Sequence, residues 1–178
     1  MNKYRKPFRG LIILLAAFLI FAVIYRVKYS MEEASPFEVN TPDLQARLLI
    51  ATQGSVFKNK LVGGLVDSLR NESVYLEVRD ISVLPEIDIE DWNAILVIHT
   101  WEYSKAPKEI NLFASRAEAA DHVLFFTTSG SGSSTIKRID ALSGASNTDQ
   151  IHTYLDQILK VIKPLLDISP IDQSHINQ

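Results

Sequence analysis

The feature that most constrains the fold is a short, unbroken apolar run that ends in a polar loop. Residues Ala94–Ile98 are all apolar and mostly branched, so both faces of this segment must be buried, as in a strand inside a parallel sheet. The run stops at His99–Trp101, and after a polar loop Pro107 opens a helical pattern. This is a strand–loop–helix unit of an α/β sheet, in which ligands bind beyond the carboxyl ends of the strands.

Similar units occur on both sides of this one. Buried-strand patterns lie at Arg47–Thr52 and Val123–Thr127, and an alternating pattern at Val74–Val78 is typical of an edge strand. Amphipathic helix patterns lie at residues 57–69, 107–120 and 150–166. The chain is therefore predicted to form an α/β, doubly wound domain with a mostly parallel sheet of about four or five strands.

The N-terminal segment is free of charge over 16 positions, Gly10–Tyr25. As a helix this run would span about 24 Å, somewhat less than the roughly 30 Å hydrocarbon core of a bilayer, and flanking basic side chains could extend it toward the headgroups. We therefore predict one transmembrane helix at residues 10–28, preceded by a basic segment at residues 1–9. A cleaved signal peptide is the alternative, although no convincing cleavage site follows.

Charge is divided unevenly along the chain. Four Lys and Arg residues precede the apolar run and two follow it closely, which predicts a single-pass membrane protein with its domain outside the cytoplasm. The lipid bilayer is then the expected partner of residues 10–28. Residues 29–178 hold 12 basic and 21 acidic side chains, a formal charge of −9. Such acidity argues against nucleic acid binding and suits docking to a basic partner, which the sequence does not identify.

The rest of the chain divides by composition. Residues 29–45 are polar and contain two prolines without periodicity, which predicts a linker. The domain is predicted at residues 46–167, followed by a frayed tail at residues 168–178. Twelve residues separate Thr127 from Asp140, too few for a helix and a full strand. A short fifth strand is therefore predicted at Thr135–Ile139, reached by an extended crossover.

From Arg47 to Leu166 the order of these loops resembles the flavodoxin family. The third predicted strand ends in Thr100-Trp101, similar to the Thr-Trp at the same place in flavodoxins, and the second is an edge strand, as in the strand order 2-1-3-4-5. The resemblance implies a flavodoxin-like fold and an FMN cofactor held by three loops. Thr100, Trp101 and Tyr103 of the second loop would then contact the flavin ring. His99 could bind a flavin edge or be structural, and nothing near it forms a metal site.

The other two loops have less specific signals. In the first loop, Thr52, Ser55 and the backbone of Gly54 could hold the FMN phosphate at a helix N-terminus. Flavodoxins close this loop with a hydroxyl residue, whereas this chain has Val56-Phe57, so the phosphate pocket is altered. Ordinary N-capping by Ser55 is the alternative. The third loop is rich in glycine and serine, which either lets its backbone approach the flavin or makes a flexible linker; its expected FMN contacts are Thr128, Ser129 and Gly130.

A further motif lies at Asp140–Ser146, DALSGAS. It resembles the signature at which flavin transferases attach FMN through a phosphoester, which makes Ser146 a candidate for covalent flavin. The alternative is a helix cap formed by Ser146 or Asn147. If the preceding strand is parallel to its neighbours, this turn lies at the same sheet edge as Trp101, and we predict that it is parallel.

Three functional hypotheses follow. The first is a membrane-anchored, FMN-binding electron-transfer module of uncertain enzymatic activity. The second is a flavodoxin-like domain that has lost FMN and acts as a membrane-tethered interaction or scaffold protein. A quinone or NAD(P)H reductase is the third, disfavoured because the chain has no Gly-x-Gly-x-x-Gly fingerprint.

Overall fold

The computed structural model describes residues 5–29, 31–101, 106–129 and 141–167. The chain divides into two compact units, Met1–Met31 and Glu32–Gln178. The first unit contains one helix, α1 (Arg5–Tyr29). The second contains the sheet and the remaining helices.

Helix α1 corrects the prediction of a membrane span. In the part of the chain that the structure describes, no helix is both long enough and apolar enough to cross a membrane. The physical reason is that α1 includes basic residues at both ends, Arg5–Arg9 and Arg26–Lys28, so that its charge-free run is shorter than a bilayer core. The predictions of a transmembrane helix at residues 10–28 and of a single-pass membrane protein are therefore wrong, and the predicted extracytoplasmic location, which rested on them, loses its support.

A seven-stranded sheet forms the centre of the second unit. Its strands, in chain order, are β1 (Glu32–Glu33), β2 (Phe37–Val39), β3 (Ala46–Gly54), β4 (Val74–Asp80), β5 (Ala94–Thr100), β6 (Val123–Ser129) and β7 (Ala141–Ala145). They lie in the order β2-β4-β3-β5-β6-β7, and β1 pairs with the end of β3.

Five of these strands confirm the predicted architecture. Strands β4, β3, β5, β6 and β7 are mutually parallel, and their order is the 2-1-3-4-5 order of a doubly wound sheet. The fold is therefore α/β with a mostly parallel sheet, compatible with a flavodoxin-like fold. The sheet has more strands than predicted because β1 and β2 add antiparallel pairs. Both lie in the segment 29–45 that the composition indicated to be a linker.

Helices cover both faces of the sheet. Helix α2 (Val56–Leu69) and helix α4 (Ile151–Leu165) pack on one face, and helix α3 (Lys108–Arg116) packs on the other with two short 3₁₀ turns at Ile81–Glu86 and Ile89–Asp91. Burial on both faces explains the continuous apolar runs of β3, β5 and β6.

Three glycines differ in what surrounds them. At Gly64 of α2 a Cβ atom would lie 2.7 Å from the side chain of Leu155, so this glycine lets α4 pack closely. At Gly144 of β7 a Cβ atom would lie 2.5 Å from the ring of Tyr154. At Gly63, by contrast, a Cβ atom would have nothing within 4 Å, which marks an open space beside α2.

The last described strand, β7, lies within the segment predicted to be a turn, and the predicted parallel direction of Thr135–Ile139 stays a prediction. Strand β7 pairs in parallel with β6 in the register Thr128↔Gly144 and Ser129↔Ala145. The strand consists of Ala141–Ala145, whereas the predicted strand Thr135–Ile139 lies outside the described residues. The predicted tail at residues 168–178 lies outside them as well.

Candidate functional site

Polar side chains are buried together at the carboxyl ends of the central strands. We call the following five residues the carboxyl-edge cluster: Gln53, Lys58, His99, Thr127 and Thr128. They belong to the ends of β3, β5 and β6 and to the first turn of α2. All are at most 5% exposed. Because buried polar groups cost free energy unless they are paired, such a concentration at the ligand-binding edge of an α/β sheet identifies a candidate site.

His99 lies at the centre of this cluster. Its Nε2 atom lies 3.0 Å from Oγ1 of Thr127. Its Nδ1 atom is buried and has no hydrogen-bond partner among the described residues. In either neutral tautomer, therefore, one ring nitrogen keeps an unused donor or acceptor.

Lys58 supplies a positive charge beside this ring. Burial, and secondly the charge of Lys58, lowers the pKa of His99 from 6.5 to about 4. The imidazole is therefore neutral at pH 7. The buried ammonium group of Lys58 and the N-terminus of α2 both favour negative charge at this edge.

Lys58 is absent from the residues that the sequence analysis selected. Lysine is rarely buried, so the residue type alone gives no indication of a place in an enclosed cluster. A signal was nevertheless present, because position 58 continues the helical spacing of Val62, Leu65 and Leu69 back by one turn.

Hydrogen bonds connect the three strand ends. The side chain of Gln53 accepts a hydrogen bond from the backbone N–H of Thr100 at 2.9 Å, and thus extends the pairing of β3 with β5. The hydroxyl groups of Thr100 and Thr128 lie 2.7 Å apart, while the Thr128 hydroxyl also donates to the His99 carbonyl at 3.2 Å. Predicted contact residues Thr100 and Thr128 are therefore brought together, and both take part in connecting β5 with β6.

Trp101 lies next to this network. It is partly buried, and its backbone N–H donates to the Thr128 carbonyl at 3.1 Å. Its indole Nε1 atom is buried without a hydrogen-bond partner in the described chain. Trp101 thus lies at the carboxyl edge of the sheet, and its role as a flavin-stacking ring stays a prediction. Tyr103 lies outside the described residues.

The first loop does not fit a phosphate group held in the flavodoxin manner. A single residue, Ser55, separates β3 from α2, and its Oγ accepts from the backbone N–H of Lys58 at 3.2 Å as an N-cap. Gly54 pairs with Glu32 of β1, and a Cβ atom on Gly54 would meet the carbonyl oxygens of Glu32 and Glu33 at 2.9 and 3.0 Å. These carbonyl oxygens occupy the space beside Gly54 and would repel an anion there. Thr52 is also engaged, since its hydroxyl donates to the Gln53 carbonyl at 3.1 Å.

Ser146 follows β7 at the same sheet edge as the cluster and is exposed. Within the motif, Gly144 is required by the close approach of Tyr154. The cap is formed by Asn147, whose side chain accepts from the N–H of Asp149 at 3.0 Å. The structure thus gives these two residues structural roles, and covalent flavin at Ser146 stays a prediction.

The third loop is described only at its start. Ser129 ends β6, and Gly130 lies outside the described residues. Across the described ranges, no group of three or more His, Asp or Glu side chains is arranged to hold a metal ion.

Comparison with known proteins adds no relative. No protein-family model, curated protein or solved structure matches this chain.

Proposed function

We propose that the unit from Glu32 onward is a flavodoxin-like domain that acts as a protein-interaction domain and does not use FMN. The observation that supports this most directly is the position of β1. Its backbone carbonyl groups fill the space beside Gly54, where a flavodoxin would accommodate the phosphate of its cofactor.

The character of the surface supports an interaction role. Residues 29–178 have a formal charge of −9, which favours association with a basic partner. At the edge of the sheet, β2 pairs with β4 on one side, and Phe37 of β2 is 43% exposed. An exposed aromatic ring on an edge strand is a common element of protein interfaces.

Titration of the full-length protein with FMN tests this proposal. We expect flavin fluorescence and visible absorption to change no more with wild-type protein than with the Trp101→Ala variant. Saturable quenching by the wild type at micromolar concentrations, lost in Trp101→Ala, would contradict the proposal.

One observation favours an FMN-binding electron-transfer domain as a second candidate. The indole N–H of Trp101 is buried and lacks a partner among the described residues, and the backbone of Trp101 is bonded to Thr128, whose hydroxyl meets that of Thr100. In this alternative FMN would supply the redox chemistry, and the protein would orient the flavin ring. Trp101→Ala would then weaken FMN binding by on the order of 1–3 kcal/mol, as loss of aromatic stacking does.

Covalent attachment is a separate form of the second candidate. Intact mass of the protein produced together with a flavin transferase would reveal an FMN-sized adduct. The adduct must be absent from Ser146→Ala if Ser146 is the attachment site.

A further inference from the structure

A pocket of about 260 Å³ lies between the β1–β2 segment and helix α2. We call it the β1–α2 pocket. Buried apolar side chains of Val62 and Val78 line it, together with the exposed ring of Phe37. The buried hydroxyl residue Thr52 and the exposed residue Asn59 add polar groups.

The size of the pocket indicates the size of its occupant. Binding sites for drug-sized molecules usually measure roughly 300–1,000 Å³, so this pocket suits a smaller group such as one long side chain. Gly63 lines it, and the absence of any atom within 4 Å of a Cβ built on Gly63 confirms open space at the helix surface. At the neighbouring Gly64, by contrast, the side chain of Leu155 occupies the space that a Cβ atom would need.

The charge of the pocket indicates the chemistry of its occupant. Of the described residues that line it, Glu32 and Glu33 are acidic and none is basic. Glu32 pairs with Gly54, which lines the pocket, whereas Glu33 pairs with Gln53 and its side chain points to the opposite face. Asp80 lies just behind the lining, where its carboxylate accepts from the backbone N–H of Ala34 at 3.0 Å. A positive group with an apolar stem would therefore find the carboxylate of Glu32 at the rim and apolar side chains along the wall.

We propose that the β1–α2 pocket binds a lysine side chain of a partner protein. The methylene stem packs against Val62, Val78 and the space beside Gly63, and the ammonium group lies near Glu32. Phe37 offers an aromatic surface, which attracts cations. This inference rests on the proposed interaction function and names the feature of the partner that is recognised.

The test uses full-length ¹⁵N-labelled protein and short blocked peptides followed by NMR. The probe is acetyl-Gly-Lys-Gly-amide, and the matched control is the same peptide with norleucine, which keeps the stem and lacks the ammonium group. We expect the lysine peptide to shift the amide signals of Asn59, Gly63 and Val78 in a saturable manner, with binding at least tenfold tighter than for the norleucine peptide.

Protein variants locate the site. The variant Glu32→Gln should weaken lysine-peptide binding at least tenfold. The controls Glu33→Gln, whose side chain points to the opposite face of β1, and Glu90→Gln, an exposed change outside the pocket, should leave it unchanged. Gly63→Leu should abolish binding by filling the open space. Because Gly63 contacts nothing there, this variant is expected to fold, and its spectrum away from α2 verifies that.

Several results would overturn the proposal. Equal binding of the two peptides, or no shifts in the pocket signals, would contradict it. Binding that is unaffected by Gly63→Leu would also contradict it. Tighter binding of free n-butylamine than of the lysine peptide would indicate that the ligand is a small-molecule amine and not a protein side chain. The proposed function and the lysine site can fail separately. FMN binding in the titration above would contradict the proposed function, whereas a measured binding of the lysine peptide to the pocket would still stand.

Discussion

The carboxyl-edge cluster and the β1–α2 pocket both adjoin the carboxyl end of β3, but polar groups are buried in the cluster and exposed at the pocket. Gln53 faces the cluster, where polar groups are enclosed and bonded to one another. The preceding residue, Thr52, lines the pocket, whose acidic residues are exposed. Successive strand residues point to opposite faces of the sheet. The end of β3 therefore contributes Gln53 to the buried cluster and Thr52 to the open pocket. Burial alone therefore does not identify the surface available to a partner.

The largest expected effect tests whether His99 is truly enclosed. Its pKa is lowered from 6.5 to about 4, so the unfolded chain binds more protons than the folded one between these values, and the free energy of unfolding falls as pH falls through that window. Comparing pH 7 with pH 4 by urea denaturation, we expect the wild type to lose about 3 kcal/mol more than His99→Gln. Equal losses would show that His99 is open to water.

The next effect concerns Gly144, which lies opposite Thr128 in the β6–β7 ladder. Gly144→Ala would place a methyl group 2.5 Å from the ring of Tyr154. This overpacking should lower the free energy of unfolding by about 2 kcal/mol, measured by denaturant titration. A neutral effect would mean that α4 can move away from the sheet.

A smaller effect is expected at Thr127, the partner of His99 in the cluster. Thr127→Val removes the hydroxyl and leaves a buried nitrogen unpaired, which should cost about 1–2 kcal/mol of unfolding free energy. Thr127→Ser is the control, since it keeps the hydroxyl group and should recover most of the loss. If both variants behave alike, the hydrogen bond contributes nothing measurable.

The smallest expected effect is an increase in the free energy of unfolding, and it tests whether the space beside Gly63 is open. Gly63→Ala adds a methyl group to a helix where nothing lies within 4 Å. Its better helix propensity should raise the free energy of unfolding by about 0.5–1 kcal/mol. Destabilisation would indicate that the β1–β2 segment closes on Gly63 in solution.

Much of the fold could be predicted from periodicity. The buried runs of β3, β5 and β6 and the amphipathic faces of α2 and α4 follow directly from residue spacing, and the structure places them within a few residues of the expected bounds. Strands β1 and β2 have two and three residues, too few to show a period. Their formation depends on distant pairing, such as Glu32 with Gly54, which no local pattern reveals.

The site was less predictable for two different reasons. Trp101 and Thr128 were expected at the carboxyl edge because the strand ends defined that edge, and both lie there. Lys58 was not selected, since lysine is rarely buried, and Gly54 was interpreted as a loop residue because its partner strand was not recognised. The membrane prediction failed on length, since a charge-free run bounded by basic residues within one helix is shorter than a bilayer.

The close contact between Gly144 and Tyr154 has a consequence for how the protein is made. Helix α4 follows every strand that the structure describes. During synthesis, at about 5–20 residues per second, the face of the sheet that contains Phe126 therefore emerges before the helix α4 that covers it. Tyr154 packs against both Gly144 and Phe126, its ring lying 5.1 Å from that of Phe126. A ribosome-bound chain that ends before α4 should therefore expose an apolar face of the sheet. We expect chaperones to bind this face until α4 covers it.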